Sequence, residues 1–400
     1  MNVLFLTSRY PYPPDRGDRL TILNLLRALS ARHAVTLVAF TNGSEPPEAA
    51  EHVAPYCSRI ETVHLPTFRS WIQAWGGVFT SMPSQVTYYL SRTMRERVRS
   101  LLASQRYDAI ITHVIRMGPY AADVDHPLKI MFQADSNGAA LGRSMRFAPW
   151  WKRLGIRWER HRVDQYMVHC AQRFRETWVL APDDKKDLER LGCPRVEMVP
   201  HGVDERLFQL ERRALGEPRL MFLGNLSVPH NIDAATYAVR ELWPAIRQRW
   251  PGARLFLAGA DPAPAVRQLG QVEGVEVTGR VPDLAVLWQS MHVLLAPLRF
   301  STGIQNKILE AMAAGVPVVT VPAVAEAIHA RDGVHLLTSD SASGLIEAVN
   351  RTLQDPDAAS ARAACAREHV RAHFTWDLPV RRMEALAAET EPATARGSVA

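Results

Sequence analysis

Two ionisable side chains, Lys307 and Glu310, lie three residues apart at the start of a predicted helix. Residues at i and i+3 share one helical face, so the ammonium group and the carboxylate would point the same way. A lysine in a first helical turn opposes the helix dipole, which favours an anion bound beside it. A carboxylate one turn deeper can accept two hydrogen bonds from a ribose. A surface Lys–Glu pair on an ordinary helix explains the same spacing.

The segment that positions these residues, 296–322, predicts the end of a strand, a loop, a helix and a second strand. Gly303 permits a sharp loop, and we expect Asn306 to cap a helix over 307–314. The valine-rich run 318–321 predicts the next buried strand. A loop that enters a helix in this way directs free N–H groups beyond the strand ends, where phosphate is the preferred ligand.

The same segment resembles the donor-site signature of the retaining GT-B glycosyltransferases of family 4 (glycosyl transferases group 1), in the variant PLR-x-x-x-G-x-x-x-K-x-LEAMA-x-G-x-PVV. In that family the second Glu of an E-x7-E pair binds the nucleotide ribose, which implies this role for Glu310. The first Glu would fall at Thr302, so the chain departs from the family at the usual contact to the donor sugar. The sequence GIQNK-x-LEAMA resembles the corresponding motif of a subgroup that is associated with bacterial exosortase and exopolysaccharide loci.

Further donor-site residues are implied by the resemblance. Related enzymes place an Arg and a Lys after the residue that matches Gly224, whereas Asn225 and His230 occupy that neighbourhood here. The cation for the diphosphate is therefore expected from Lys307, supported by Arg299 or Arg280. The predicted donor-binding residues are Gly224, Asn225, Arg280, Arg299, Gly303, Ile304, Asn306, Lys307 and Glu310.

The N-terminal half begins with a predicted strand over 2–6, a loop with one glycine, and a helix near 19–31. This order is typical of an α/β phosphate loop, although no G-x-G-x-x-G is present. In the resembled family the loop faces the interdomain cleft, which implies acceptor-side roles for Arg16, Gly17 and Asp18. A tight turn without a ligand is the alternative.

Two polar residues follow later strands of the same half, His113 after 109–112 and Asp135 after 130–132. Ligands bind at the carboxyl ends of strands in such sheets, so both are candidate catalytic or acceptor residues. A structural histidine explains His113 equally simply.

Strand and helix signals alternate throughout the chain, which predicts an α/β fold with two doubly wound parallel sheets. The predicted strands are 2–6, 35–40, 60–65, 109–112, 130–132 and 177–180, then 219–223, 255–258, 275–278, 292–296, 318–321 and 336–337. The turn 200–208 resembles the one that leaves the N-terminal domain in the same enzymes. We predict a Rossmann-like acceptor-side domain over 1–203 with a returning helix at about 375–389, a donor domain over 204–374, and a loose tail over 390–400.

Composition limits the other classes. The chain has 400 residues, a net charge of +6 and a pI near 9.3, which indicates attraction to anions. Four separated cysteines favour reduced thiols, and the two D-x-D sequences, at 123–125 and 355–357, lie in predicted surface turns, so no metal site is expected. No signal peptide or membrane span is apparent, which predicts a cytoplasmic protein.

Two basic stretches, 92–106 and 143–175, interleave cations with apolar or aromatic residues. This composition suits the headgroups of an anionic membrane, where a polyprenyl-linked acceptor would be reached. A nucleic-acid surface would use similar residues, but no nucleic-acid motif is present. Solvated helices whose tryptophans pack inward are the remaining alternative.

The resemblance implies a hexosyltransferase of class EC 2.4 that moves a sugar from a nucleotide-diphosphate sugar to a lipid-linked or polysaccharide precursor, with retention, without metal and without a separate cofactor. Its two sheets would face each other across a cleft. The alternatives are a sugar-nucleotide epimerase of the same fold and a binding protein that has lost catalysis.

Overall fold

The computed structural model describes residues 1–400 except 15–16, 134–137, 139–140, 143–144, 146–148, 214–215, 282, 301–303 and 391–400. The described residues form two compact units. The first comprises Met1–His201 and the chain from Trp376 onward, and the second comprises Gly202–Thr375. The predicted domain boundary at 203/204 lies two residues beyond this division.

A seven-stranded parallel sheet organises the first unit, in the order β3-β2-β1-β4-β5-β6-β7. Its strands are β1 (Asn2–Thr7), β2 (Ala34–Thr41), β3 (Arg59–His64), β4 (Ala109–His113), β5 (Lys129–Phe132), β6 (Glu176–Val179) and β7 (Val196–Met198). Its helices are α1 (Gly17–Ser30), α2 (Ala49–Val53), α3 (Thr67–Gly76), α4 (Ser84–Thr87), α5 (Arg92–Ser104), α6 (Gly118–Ala121), α7 (Trp150–Ala171) and α8 (Pro182–Arg190). The strand order changes direction between β1 and β4, so their carboxyl ends form a topological switch point.

Alternation along β1 shows why this sheet is covered on both faces. Val3 and Phe5 pack in one apolar cluster, and Leu4 and Leu6 pack in another. Successive strand side chains point to opposite faces, so a strand buried on both sides must be apolar throughout. This requirement makes such strands visible in the sequence.

A six-stranded parallel sheet organises the second unit, in the order β10-β9-β8-β11-β12-β13. Its strands are β8 (Arg219–Leu223), β9 (Arg254–Ala258), β10 (Val275–Gly279), β11 (Val293–Ala296), β12 (Val318–Thr320) and β13 (Leu337–Thr338). Its helices are α9 (Pro229–Tyr237), α10 (Trp243–Arg249), α11 (Pro264–Leu269), α12 (Leu284–Ser290), α13 (Asn306–Ala313), α14 (Pro322–Ala327), α15 (Ala342–Gln354) and α16 (Pro356–His373). The switch point lies between β8 and β11. The predicted fold class, two doubly wound parallel sheets, is confirmed.

Two local expectations need correction. Helix α13 begins at Asn306 itself, so Asn306 does not cap it, and the preceding Gln305 makes no side-chain capping bond. The basic helix α5 turns Met94, Val98 and Leu101 into the core, so its apolar face is already occupied. Within the described parts of the chain, no helix is both long and apolar enough to span a bilayer.

The chain returns to the first unit as α17 (Asp377–Thr390). Val380, Met383 and Leu386 of this helix are buried in the cluster that contains Val3 and Phe5. Arg382 pairs with the buried carboxylate of Glu176, with Nε 3.0 Å from Oε2. These contacts attach the end of the described chain to the sheet of the first unit.

Replacing Arg382 with Met should destabilise the first unit, because Glu176 is only 7% exposed and would be left without its cation. Losing one partner of a fully buried pair costs about 3–5 kcal/mol, and the partial exposure of Arg382 lowers our expectation to about 2 kcal/mol. Urea unfolding followed by tryptophan fluorescence measures the change. The matched control is Arg381→Met, since Arg381 is 72% exposed and pairs with Asp377 at the surface. Equal unfolding midpoints for the two variants would contradict this docking.

Candidate functional site

A buried lysine joins the two helices that begin at the switch point of the second sheet. Lys307, in the first turn of α13, is 8% exposed. Its Nζ donates a 2.6 Å hydrogen bond to Oδ1 of Asn231 in the first turn of α9, and lies 4.9 Å from the ring centroid of Phe222 on β8. Helices α9 and α13 follow β8 and β11, the two strands that flank the switch point. Both N-termini therefore lie at the edge of the sheet where ligands bind.

Burial of this ammonium group has an electrostatic cost. Loss of water lowers the pKa of Lys307 to about 8, and the carboxylate of Glu310 partly opposes that shift. The same lysine, together with burial, lowers the pKa of His230. Asn231 and the aromatic face of Phe222 are weak substitutes for a full counter-charge. The site is therefore suited to accept an anion.

Glu310 lies one turn further along α13 and is partly buried. Burial raises its pKa to about 7, Asp204 adds to the rise, and Lys307 opposes it. Among the described residues, its carboxylate makes no hydrogen bond, and no ion pair with Lys307 forms within 4 Å. An unpartnered carboxylate beside an ammonium group can receive hydroxyl groups from a ligand.

The predicted residues Gly224 and Asn225 shape this site through Asn231. A Cβ at position 224 would lie 2.8 Å from Asn231, so the close approach requires glycine. The carbonyl of Asn225 accepts a 2.9 Å hydrogen bond from Asn231 Nδ2, which leaves Oδ1 facing Lys307. The side chain of Asn225 itself accepts from Ser227 and forms a local turn. Their contribution is to orient Asn231.

Asn231 is the residue that the sequence analysis missed. It is 5% exposed and supplies the only described hydrogen-bond acceptor for the Lys307 ammonium group. The sequence feature that could have identified Asn231 is its position at the start of a helix, six residues after Asn225. A polar residue that is buried at a helix N-terminus beside a switch point is a candidate for this role.

The predicted cation Arg299 is already paired. Its guanidinium group binds Asp233 through two hydrogen bonds, of 3.1 Å from Nε and 2.5 Å from Nη2, and lies 4.4 Å from the ring centroid of Tyr237. Both partners belong to α9, so Arg299 fastens the loop after β11 to that helix. Only its Nη1 remains for a ligand among the described contacts.

The remaining predicted donor residues have varied placements. Arg280 is exposed directly after β10, and Asn306 is exposed at the start of α13. Ile304 is partly buried and packs against the core of the second unit. Gly303 and Thr302 lie outside the described residues.

A large groove of the second unit lies elsewhere. It has a volume of about 1470 Å³ and is lined by His292, Gly315 and Pro317 at the amino-terminal edge of the sheet, but not by Lys307 or Glu310. Ligands of doubly wound sheets bind at the carboxyl edge, so the switch point is the candidate site on chemistry rather than on cavity size.

The switch point of the first unit brings together residues from both flanking strands. His113 ends β4 opposite Thr7 of β1 and is 2% exposed, with no described partner for either ring nitrogen. Burial lowers the pKa of His113 to about 4, with Asp18 opposing and the arginines 116 and 9 reinforcing the shift. The ring is therefore neutral near pH 7 and can exchange hydrogen bonds with a ligand, but it is a poor general base.

Backbone strain accompanies His113. The next residue, Val114, has φ 60°, which is sterically unfavourable for a β-branched side chain. Such strain concentrates at functional sites, because the surrounding fold must hold it in place. Gln133 helps to do so by accepting a 3.0 Å hydrogen bond from the N–H of Ile115.

A polar pocket lies beside this switch point, at the carboxyl ends of β1, β2 and β3. It has a volume of about 380 Å³. Its lining combines arginines, polar groups and aromatic rings, among them Arg9, Arg19, Asn42, Tyr88 and Tyr89. Arg9 Nη1 bonds Asp18 Oδ2 at 2.7 Å, which connects the pocket to the first turn of α1.

The predicted acceptor-side residues have different placements. Asp18 lies in the first turn of α1, and Gly17 begins that helix with open space around its Cα. Arg16 and Asp135 lie outside the described residues. The structure thus brings Asp18 towards His113, whereas it gives no position for the other two.

No group of three or more metal-ligating side chains occurs in the portion of the chain that the structure describes. The acidic pairs have local roles there. Asp355 caps α16 by accepting a 2.9 Å bond from the N–H of Ala358, and Asp123 pairs with Arg173 at the surface.

Comparison with known proteins gives the class of the fold. Residues 217–355, within the second unit, match the family model described as glycosyl transferases group 1. Over its full length the chain is similar to the crystal structure of HepE from Anabaena in complex with UDP, with a TM-score of 0.65, 14% identity, and coverage of 97% of this chain and 100% of that one. The two units therefore have the GT-B fold.

Two curated relatives match in sequence. The glycogen synthase of Mycobacterium tuberculosis is 28% identical over 229 residues, which are 54% of this chain and 54% of the relative. The phosphatidyl-myo-inositol mannosyltransferase of Mycobacterium leprae is 27% identical over 201 residues, which are 48% of this chain and 52% of the relative. The chain spans about half the length of the curated relatives it matches.

Proposed function

We propose that this protein is a glycosyltransferase that takes a sugar from a nucleotide-diphosphate sugar bound at Lys307 and Glu310. The observation that carries the proposal is the buried Lys307 ammonium group, held at the switch point without a full counter-charge. A diphosphate would supply that charge, and the ribose hydroxyls would donate to Glu310. The family match over 217–355 and the UDP bound by HepE support the same ligand class.

The proposed mechanism relies on charge stabilisation. As the bond to the sugar breaks, negative charge develops on the leaving diphosphate. Lys307 and the N-termini of α9 and α13 would stabilise that charge from fixed positions. We propose that the reaction retains the anomeric configuration and needs no metal, with the nucleotide sugar as its only co-substrate. The Thr at position 302 leaves the donor sugar to other contacts.

We propose that the acceptor is a lipid-linked or polysaccharide precursor of a surface glycan, held by the first unit. The polar pocket beside Arg9 and Tyr89 has the volume of a sugar headgroup and the donors to bind its phosphate or hydroxyls. Neutral His113 does not line this pocket, but it would be a hydrogen-bonding partner at the neighbouring switch point. The relative named for phosphatidyl-myo-inositol supports a lipid acceptor.

Replacing Glu310 with Ala should weaken nucleotide binding. Calorimetric titration of UDP and of GDP, without metal, should show one nucleotide binding to the wild type. That nucleotide should lose about 1–3 kcal/mol of binding free energy in the variant, as expected for hydrogen bonds to a charged group. The control is Glu326→Ala, at an exposed position on α14. Binding of neither nucleotide, or equal binding by both variants, would contradict the donor site.

The affinity for that nucleotide should be greatest between about pH 7 and pH 8. Glu310 has a raised pKa of about 7, so its ribose-accepting anion is lost below that value. Lys307 has a lowered pKa of about 8, so its phosphate-binding cation is lost above that value. Titration calorimetry across this range measures both effects. Protonation of the nucleotide phosphate weakens binding equally in the wild type and in Glu310→Gln. The effect of Glu310 below pH 7 is therefore measured as the ratio of the nucleotide affinities of these two proteins. A constant ratio would contradict the role of Glu310.

The alternatives are a sugar-nucleotide epimerase of the same architecture and a binding protein that has lost catalysis, the second of which the Thr at position 302 would suit. We expect nuclear magnetic resonance of UDP- and GDP-sugars with the protein alone to show only slow hydrolysis that retains the anomer and is lost in Lys307→Ala. An isomeric nucleotide sugar formed without any acceptor would establish the epimerase. Tight binding with no turnover of any sugar nucleotide would favour the binding protein.

A further inference from the structure

Two helices of the first unit carry most of the exposed apolar surface. Nine of the fourteen exposed large apolar side chains among the described residues lie on α3, the short turn after it, and the first turns of α7. These nine residues, which we call the aromatic patch, are Phe68, Trp71, Ile72, Trp75, Phe79, Trp150, Trp151, Leu154 and Trp158. Soluble proteins rarely expose so much apolar surface in one place unless something binds there.

Helix α3 exposes its large apolar side chains and buries its small ones, which is the reverse of a core helix. Trp75 is 75% exposed and Phe79 is 93% exposed, whereas the small residues Ser70 and Ala74 are buried. The large residues recur at helical spacing and form one stripe. Folding alone favours the reverse arrangement, because burying an aromatic ring removes far more apolar surface from water. The stripe is therefore kept free for a partner.

Hydrogen bonds join the two parts of the aromatic patch. The guanidinium group of Arg162 on α7 donates to the carbonyl of Gly77, directly after α3. Glu159 on α7 accepts a 2.6 Å hydrogen bond from the N–H of Ser84. Arg162 also lies 4.2 Å from the ring centroid of Trp158. These contacts hold the turn after α3 against α7, so the two parts of the aromatic patch lie next to each other.

The charge around the aromatic patch is mainly positive, and the nearby carboxylate of Glu159 is paired with Arg162. No Asp or Glu occurs in the sequence between Glu61 and Glu96, or between Asp135 and Glu159. The cations of these segments include Arg69, Lys152, Arg153 and Arg157. A second copy of this chain would bring like charges together, whereas a lipid surface with anionic headgroups complements them. Tryptophan beside lysine and arginine is the composition that stabilises a protein at the bilayer interface.

We propose that the aromatic patch docks the first unit on an anionic bilayer surface. The rings enter the interfacial layer, and the cations meet the lipid phosphates. The patch adjoins the polar pocket, because Trp71 contacts Tyr88 edge-on, with ring centroids 5.6 Å apart, and Tyr88 lines that pocket. Docking would therefore place the pocket at the membrane surface. The further step, that a lipid-linked acceptor is loaded there, rests on the proposed function, whereas docking itself does not.

The test is flotation of the full chain with vesicles of phosphatidylcholine alone or mixed with phosphatidylglycerol. We expect flotation with the mixed vesicles only. Trp75→Ser with Phe79→Ser should lower the partition coefficient roughly tenfold or more. The control, Val272→Ser with Val286→Ser, removes exposed apolar side chains of the second unit and should change nothing. Lys152→Gln with Arg157→Gln should remove the preference for anionic lipid.

Calorimetric nucleotide binding should be the same in all these variants, which separates docking from the donor site, and unchanged urea unfolding midpoints should show that the first unit of each variant folds. Docking would be overturned if the wild type failed to float with the mixed vesicles, or if the Trp75 and Phe79 variant floated as well as the control. A dimer in sedimentation analysis that this variant converts to a monomer would show that a second copy covers the patch instead.

Discussion

The hydrogen bond from Lys307 Nζ to Asn231 Oδ1 holds the candidate donor site together. It joins the two helices that begin at the switch point of the second sheet, and it keeps an ammonium group where water is largely excluded. Such burial is unfavourable unless the charge is compensated, and the lowered pKa of Lys307 shows that compensation is incomplete. An arriving diphosphate would complete it. The hydrogen bond also requires glycine at position 224, because any side chain there would displace Asn231.

The first unit repeats this architecture with a different chemistry. Its switch point holds a neutral histidine with no partner among the described residues, rather than a buried cation, and its arginine at position 9 is already paired with Asp18. A site of this kind favours hydroxyl groups and phosphates approached from the pocket side. Under the proposed function, the second sheet would hold the charged leaving group and the first would hold the hydroxyl acceptor. Division of the chemistry between two similar folds requires only different residues at equivalent strand ends.

The fold was predictable because parallel strands that are covered on both faces must be continuous apolar runs. The predicted strand 219–223 and the observed β8 have the same bounds, and the other predicted strands differ by one residue at one or both ends. Lys307 and Glu310 were predictable because their spacing and their resemblance to a signature lie within one short segment. The structure places both at the switch point.

Features that depend on distant partners were not predictable. Asn231 acts through a lysine 76 residues away, and Arg299 is paired with an aspartate 66 residues away, so the sequence showed neither the contact that makes the first residue important nor the one that occupies the second. The apolar stripe of α3 has the periodicity of an ordinary core helix. Periodicity shows that the helix has an apolar face, but only the burial of Ser70 and Ala74 shows that the opposite face packs on the protein.

Hydrogen exchange of the full chain, with and without saturating UDP or GDP, tests the central claim most directly. The donor site at the Lys307–Asn231 contact predicts slower amide exchange in two separate peptides, one covering 225–231 and one covering 304–310, and unchanged exchange along α5. Protection of both requires a ligand that bridges the two helix N-termini. Unchanged exchange in these peptides under nucleotide saturation, or protection confined to the first unit, would contradict the account.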